Sequence, residues 1–406
     1  MIKNFSVSKN VIAFFAVFGI VFIPFPFCFG SFQLPITEFV FGKLIGSISA
    51  NLFGFHLKNT KVYSDSVSMY ILLLILFFLA IVIALLFSRW KWWKLHRGRV
   101  MAICYQVACY YLVLQLLKYG AGKIFKDQFY LPEPNILYTP LGKISRDLLF
   151  WSSMGTSYLY NLITGSVEVI AALLLLFKRT RLLGLLVSMM VLIQIVVINF
   201  SFDISVKLFS LFLLFLSFYL LLPFFKRLYQ FFLLNTAIKA EPTSSVVLIK
   251  HPFARGFVTT LIAGLIFIEV LYPFIQKTNF NDDLAKRPYL HGAYEVKHLL
   301  QGNDTLEIAN SPVKRFFIHR QGYIIFQSPD DEMKDYKLSY DKSQPLFILQ
   351  DYQLKQSTLK YNYSAADSIL SLQYYKGGKE YMLIGKALDW KKLPALKKDF
   401  HWTVEE

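Results

Sequence analysis

Charge is scarce in this chain, and acidic charge is the scarcest. Aspartate and glutamate number 26 against 43 lysines and arginines, and the four types make up 17% of 406 residues, below the roughly 25% usual in soluble domains. Cysteine occurs at three positions only, Cys28, Cys104 and Cys109, all in apolar segments. A disulfide framework therefore has no support. Cys104 and Cys109 are five residues apart, on different faces of a helix, so they do not form a redox pair.

The motifs of soluble catalysis are missing as well. The chain has no Gly-rich phosphate loop and no nucleophile elbow. Its seven histidines show no ligand spacing, so a metal site has no support. The net charge of +17 collects at the ends of apolar segments instead of forming a basic face with exposed aromatics. Nucleic acid is therefore not an expected partner.

Apolar residues dominate what is present. Hydrophobic residues make up 55% of the chain, phenylalanine alone occurs 40 times, and the mean hydropathy is +0.45. Runs of about twenty apolar residues can each cross a bilayer as a helix. We predict an antiparallel bundle of about seven such helices, near residues 11–30, 69–88, 100–119, 159–177, 182–200, 205–225 and 256–275. The first is predicted to be an uncleaved helix, and 31–68 an external loop with a short interfacial helix.

Basic clusters fall on alternate connections, at 89–97, 178–181 and 226–227. Because cytoplasmic loops are enriched in lysine and arginine, this pattern predicts a cytoplasmic N-terminus and an extracytoplasmic C-terminal part. The expected location is the cytoplasmic membrane, with the lipid bilayer as a partner.

In the last third of the chain, the hydrophobic pattern changes from long apolar runs to short segments typical of β-strands. About eight short segments rich in β-branched and aromatic residues lie between 289 and 384, separated by turn signals. They predict a small antiparallel β-barrel or sandwich, and Leu290-His291-Gly292-Ala293-Tyr294 is similar to the opening of lipocalin-like barrels. The expected division is an N-terminal hairpin over 1–99, a membrane core over 100–278 and an outer β domain over 279–406.

One carboxylate interrupts an apolar run. Glu168 lies ten residues before Lys178, about 15 Å from the predicted inner interface and near mid-membrane. An ionisable group in hydrocarbon costs several kcal/mol unless it is paired or wetted, so Glu168 is a candidate functional residue.

Several motifs resemble the DoxX family of four-helix membrane proteins. They are Gly120-Ala121-Gly122-Lys123, Gly165-Ser166-Val167-Glu168, Phe177-Lys178-Arg179-Thr180-Arg181-Leu182-Leu183-Gly184, and the polar Asn199. The similarity covers roughly 100–222, and the Phe400-His401-Trp402 ending is similar to that of larger DoxX-like proteins with extra N-terminal helices and a β domain. Some DoxX-like proteins are linked to quinone-coupled sulfur oxidation or to oxidative-stress complexes.

The rise of the helices places Gln194 above Glu168 and puts Asn199 and Lys118 near the outer boundary, which predicts a funnel that opens outward and narrows toward Glu168. Glu168, Lys118 and Lys123 would be catalytic, and quinone is the cofactor that the resemblance implies. Its binding residues would be Tyr105, Tyr110, Tyr111, Gln115, Arg146 and Asn199. The alternatives are structural: Glu168 locks helices through one cation, Lys118 extends to the interface, and Asn199 caps a helix.

Two functions follow from these observations. The first is a quinone-linked oxidoreductase or a subunit of a membrane redox complex. The second is a non-enzymatic accessory or carrier, whose outer β domain binds a lipid, a small ligand or a membrane or periplasmic protein partner.

Overall fold

The computed structural model describes residues 2–24, 30–54, 60–235, 251–302, 304–306, 311–341, 343–397 and 403, with the backbone alone for 2–6, 30–31 and 376. Cys28 and the Phe400-His401-Trp402 ending lie outside these residues. The chain forms two compact units. The helical unit contains Met1–Gln128 and Leu159–Phe280, and the barrel unit contains Phe129–Tyr158 and Asn281–Glu406.

The described residues form twelve α-helices, of which α5 and α6 belong to the barrel unit. They are α1 (Ile2–Phe22), α2 (Gly30–Phe53), α3 (Val67–Arg89), α4 (Lys91–Ile124), α5 (Pro134–Leu137), α6 (Arg146–Thr156), α7 (Tyr158–Leu176), α8 (Arg181–Ser201), α9 (Lys207–Leu221), α10 (Phe225–Phe232), α11 (Pro252–Ile266) and α12 (Tyr272–Gln276). A 3₁₀ turn, Leu222–Phe224, joins α9 to α10, and a π-helical stretch, Phe267–Leu271, joins α11 to α12.

Six helical runs in the described part of the chain are long and apolar enough to cross a bilayer. They are Val67–Arg89, Lys91–Ile124, Tyr158–Leu176, Arg181–Ser201, Lys207–Phe232 and Pro252–Gln276. They coincide with six of the predicted spans, and this confirms the mainly α membrane class: the chain is an integral membrane protein. The last run has only 17% of its apolar window buried, so it has a large surface for lipid.

The first 60 residues differ in detail from the prediction. The first helix, α1, covers Ile2–Phe22, whereas the predicted span covered 11–30, of which 25–29 lie outside the described residues. It ends two residues before Pro24, which has no N–H group to continue the hydrogen-bond ladder. The predicted external loop is mostly α2, a helix of 24 residues. Pro35 is the sixth residue of α2, inside the helix, where its missing N–H group removes one hydrogen bond from the ladder.

The middle of the helical unit is α4. It contacts α1, α3, α9 and the π-helical stretch, and its Leu112 and Leu116 are buried within the apolar core. Helices α7 and α8 form a hairpin. At its turn, the Thr180 hydroxyl donates to the Leu174 carbonyl at 2.8 Å, and the Arg181 Nε donates to the Leu175 carbonyl at 3.1 Å. These side chains satisfy carbonyl groups that the end of a helix leaves open.

The barrel unit is an antiparallel meander that closes on itself. Its strands are β1 (Gly292–Gln301), β2 (Asp304–Leu306), β3 (Arg315–His319), β4 (Tyr323–Gln327), β5 (Met333–Tyr340), β6 (Leu346–Gln350), β7 (Gln356–Ser364), β8 (Ile369–Lys376) and β9 (Lys379–Leu388). Pairing of β1 with β9 closes an eight-stranded barrel, and the short β2 is added beside β1. The predicted β-barrel is therefore confirmed. We call the end where β1 begins the near end, and the opposite end the far end.

A segment from between two membrane spans packs on the outside of the barrel. Residues 129–158 belong to the barrel unit, where Leu131, Leu137 and Tyr138 cover the outward-facing Phe317 and Ile325. The expected division assigned this segment to the membrane core. Its apolar side chains instead find partners on β3 and β4. Both parts of the barrel unit must lie on one side of the membrane, and the four spans between them return the chain to that side.

Candidate functional site

Two glycines bring α4 and α7 together backbone to backbone. A Cβ atom on Gly120 would lie 2.8 Å from the Gly165 carbonyl oxygen, and one on Gly165 would lie 2.6 Å from the Gly120 carbonyl oxygen. Small residues at such crossings let membrane helices pack closely. Lys123 and Glu168 each stand three residues after one of these glycines. They therefore project side by side from the crossing.

Lys123 and Glu168 form a buried ion pair there. The Lys123 Nζ donates to the two Glu168 carboxylate oxygens at 2.8 and 2.9 Å. The side chains are 9% and 3% exposed, so water solvates neither charge to any extent. The Tyr119 ring centroid lies 5.6 Å from the Lys123 Nζ, and its hydroxyl interacts electrostatically with Glu168. This geometry fixes the two helices against each other.

A polar stripe runs along one face of α4 to this pair. Tyr111, Gln115, Tyr119 and Lys123 follow at intervals of four residues, which spans about 18 Å of helix. Gln115 is fully buried, and among the described residues neither amide atom meets a partner in hydrogen-bonding geometry. The Tyr111 hydroxyl is near enough to interact with it. Because an unsatisfied amide in an apolar interior is costly, Gln115 can bind a polar ligand atom.

Lys118 faces a different carboxylate. Its Nζ lies 3.3 Å from the Glu269 Oε2, and the side chains are 27% and 1% exposed. Glu269 belongs to the π-helical stretch, a distortion that is frequent at functional sites. The sequence analysis missed Glu269. The rule that singled out Glu168, an ionisable residue inside an apolar run, applies equally to Glu269 and would have found it.

The other predicted residues lie in several places. Tyr105 is buried and donates its hydroxyl to the Leu220 carbonyl at 3.0 Å, a contact within the bundle core. Tyr110 is 37% exposed, and Asn199 is buried near the end of α8. Arg146 begins α6 and belongs to the barrel unit. The structure thus brings Glu168 and Lys123 together, with Tyr111 and Gln115 farther along the stripe, and the quinone roles of all these residues stay predictions.

A cavity of about 550 Å³ lies inside the barrel at its far end. Alternate residues of several strands form its wall, including Phe326, Leu349, Leu359, Leu372 and Leu383. The volume falls within the range of roughly 300–1,000 Å³ that is typical of small-molecule sites. The lining is mainly apolar, as such sites usually are.

The near half of the barrel is filled. Tyr294 stacks on Phe316 with ring centroids 5.1 Å apart, and Phe347 stacks on Tyr361 at 4.1 Å. Tyr363 packs against the same core. These rings form a floor beneath the cavity, so among the described residues the opening for a ligand lies at the far end.

Charged groups at the near end join the barrel to the segments that precede it. The Arg320 guanidinium donates to the Asp282 carboxylate at 2.6 and 2.8 Å. The His291 Nε2 lies 2.8 Å from the Glu133 Oε2, and both side chains are buried. Burial by itself raises the pKa of Glu133, but the hydrogen bond and charge of His291 outweigh it, so this pKa is lowered. These contacts hold 129–158 and the chain before β1 against the barrel.

No protein-family model matches the chain, and no solved structure matches it. The chain is 36% identical over 97 residues to "Uncharacterized protein YwoB" of Bacillus subtilis (strain 168). The match covers 24% of this chain and 61% of the length of YwoB, less than two thirds of that protein. The name of this relative states no activity, so the similarity gives no information about a reaction or a ligand.

Proposed function

We propose that this integral membrane protein is a non-enzymatic carrier or accessory, in which the helical unit is the membrane anchor and the barrel unit binds a small apolar ligand. The observation that carries the proposal is the cavity at the far end of the barrel, with its volume of about 550 Å³ and its apolar wall. Burying apolar ligand surface in such a cavity is favourable by about 25 cal/mol per Å².

The way the barrel is built supports binding over a purely structural role. A barrel of eight strands has room for side chains that fill it or for one small ligand. Here the near half is filled by stacked rings, whereas the far half is open. A pocket on a rigid, packed base is already shaped for its ligand, which lowers the entropic cost of binding.

The test uses the full chain in lipid nanodiscs and a neutral photoactivatable long-chain alcohol. Crosslinked peptides are mapped by mass spectrometry, so probe dissolved in the lipid does not obscure labelling in the barrel. We expect labelling of β6–β9 peptides that contain the cavity leucines. Ser357→Trp should abolish this labelling because residue 357 lines the cavity.

Thr358→Trp is the matched control for that substitution. Residue 358 is exposed and follows 357 on β7, so its side chain points to the opposite face of the strand. It should leave the labelling unchanged. Labelling that is equal in both variants, or absent from the unsubstituted protein, would contradict the proposal.

We also propose that the protein lies in the cytoplasmic membrane with its N-terminus inside and the barrel unit outside. The basic clusters at 89–97 and 178–181 support this orientation. Cysteines introduced at Thr358 and Lys94, each in a chain that carries Cys28→Ala, test it in intact spheroplasts. An impermeant maleimide should label the first and spare the second, and the reverse pattern would invert the topology.

A second candidate is a DoxX-like, quinone-linked redox role for the helical unit. The observation that favours it is the buried polar stripe, with Gln115 lying along α4 from the Lys123–Glu168 pair. In this role Glu168 and Lys123 would exchange protons with a bound quinone, and Gln115 would bind one of its oxygens.

The redox role is tested by extracting the purified protein and measuring quinone by absorbance and mass spectrometry. Bound quinone that Glu168→Gln removes, in a variant that remains folded, would support it. Quinone that is absent from the unsubstituted protein, or retained by Glu168→Gln, would reduce the ion pair to a helix lock. Tyr70→Phe on an exposed face of α3 is the control.

A further inference from the structure

Among the described residues that line the apolar cavity, one is a cation, Lys334 at its mouth. Lys334 lines the cavity with Tyr336, two residues further along β5, and Leu338 continues the same inward face into the barrel core. The Lys334 Nζ lies 5.3 Å from the centroid of the Tyr336 ring. The aromatic face therefore holds the ammonium group beside the opening.

The acidic groups around Lys334 are engaged elsewhere. Asp335, the next residue, points to the opposite face of β5 and accepts from the Tyr352 hydroxyl. Asp351, which interacts electrostatically with Lys334, accepts from the backbone N–H groups of Gln353 and Lys355. Glu332 also lines the mouth, but its carboxylate pairs with the Lys143 Nζ at 2.9 Å. Ser328 at the mouth is bound to Asp330 and to the Glu332 carbonyl. The mouth thus presents Lys334 in front of an apolar interior, while the carboxylate of Glu332 is balanced by its own lysine.

On these grounds we propose that the ligand of the barrel is a single-chain amphiphile with an anionic head group, its chain in the cavity and its head on Lys334. This inference rests on the proposed binding function and names the class of ligand. A carboxylate or phosphate head supplies the charge, and an unbranched apolar chain suits a pocket lined by leucines above the aromatic rings. Both sources, free fatty acids and lysophospholipid-type phosphates, share this chemistry.

Competition against the photoactivatable probe measures the preference. The full chain in nanodiscs is labelled in the presence of dodecanoate, dodecyl phosphate or dodecanol, which share one chain and differ in head group. The anionic competitors should displace the probe at about fivefold lower concentration than dodecanol, the value of one partly exposed ion pair. Each added methylene should improve competition about fourfold until the chain fills the cavity.

Two substitutions assign the preference to the lysine. Lys334→Gln should remove the advantage of the anionic head groups, and Lys334→Arg should keep it. Lys337→Gln is the control, because residue 337 lies on the same strand with its side chain exposed and out of phase with 334.

The outcomes separate the two claims. Equal competition by dodecanol and dodecanoate, unchanged by Lys334→Gln, would overturn the ligand class while the cavity remains a binding site. Competition by none of the three, together with labelling that Ser357→Trp does not reduce, would overturn the binding function itself. If both anions compete well, the tighter one identifies the source as a carboxylate or a phosphate.

Discussion

Replacing one member of the Lys123–Glu168 pair should be more harmful than replacing both. Both side chains are almost fully buried, and the ammonium group is bound to both carboxylate oxygens. Lys123→Met or Glu168→Met leaves the other charge without its counterion in an apolar interior, at a cost of about 3–5 kcal/mol. The double variant has no buried charge and keeps similar volumes, so it should lie within about 1 kcal/mol of the unsubstituted protein.

Two buried thiols on α4 provide the assay. Cys104 and Cys109 are 7% and 3% exposed, so a fluorogenic maleimide reports their release on unfolding. All variants carry Cys28→Ala, because Cys28 lies outside the described residues and would add its own signal. Unfolding is followed in mild detergent with increasing sodium dodecyl sulfate, and the free energy of unfolding is taken from the midpoint and slope.

The ordering of the variants decides the question. Lys94→Met, an exposed lysine on the same helix, should change the free energy of unfolding by less than about 0.5 kcal/mol. If the single substitutions in the pair behave like this control, water reaches the pair and our account of it is wrong. A double variant less stable than either single variant would also refute the reasoning, since it would mean that a lone buried charge carries no penalty and that the two side chains contribute independently.

Three further outcomes are expected. Gly165→Ala should lower the free energy of unfolding by about 1–3 kcal/mol in the same assay, since its Cβ meets the backbone of α4, whereas Gly264→Ala should not, since nothing lies within 4 Å. Tyr105→Phe should cost about 1 kcal/mol through the lost bond to the Leu220 carbonyl. Burial lowers the pKa of His319, so the stability it contributes is present above about pH 6.5 and is lost as the pH falls toward this lowered pKa. His319→Gln should flatten this loss in thermal melts of the barrel unit between pH 7.5 and 5.5.

The sequence predicted the elements well because their signals are local. Apolar runs of span length, closed by basic clusters, give the positions of α3, α4, α7 and α8 to within a few residues, apart from the polar extension at the start of α4. Alternation of apolar and polar residues, broken by turn residues, gives most strands of the barrel. The segment between 31 and 53 was harder to predict. Its glycines and its proline, among aromatic residues, favour a loop by composition, but they lie within a helix.

Pairings across the fold could be predicted only in part. The motifs supplied Lys118, Lys123 and Glu168, but the choice of Lys123 as the partner of Glu168 depends on where Gly120 and Gly165 cross. The attachment of 129–158 to the barrel has no local signal, because its apolar side chains would be equally satisfied against membrane helices. The open cavity also could not be predicted. The free space inside a barrel depends on which side chains face one another, and this is set by the register of all its strands.

The attachment of 129–158 to the barrel sets an order of events during synthesis. This segment is synthesised before the next four apolar helical runs and the whole sheet have been made. At about 5–20 residues per second, Leu131, Leu137 and Tyr138 wait for roughly ten seconds or more without the strands that will cover them. During that time they form an exposed apolar surface that chaperones and proteases can bind. A chain whose synthesis stops before Asn281 therefore keeps these apolar side chains exposed, whereas the finished barrel covers them.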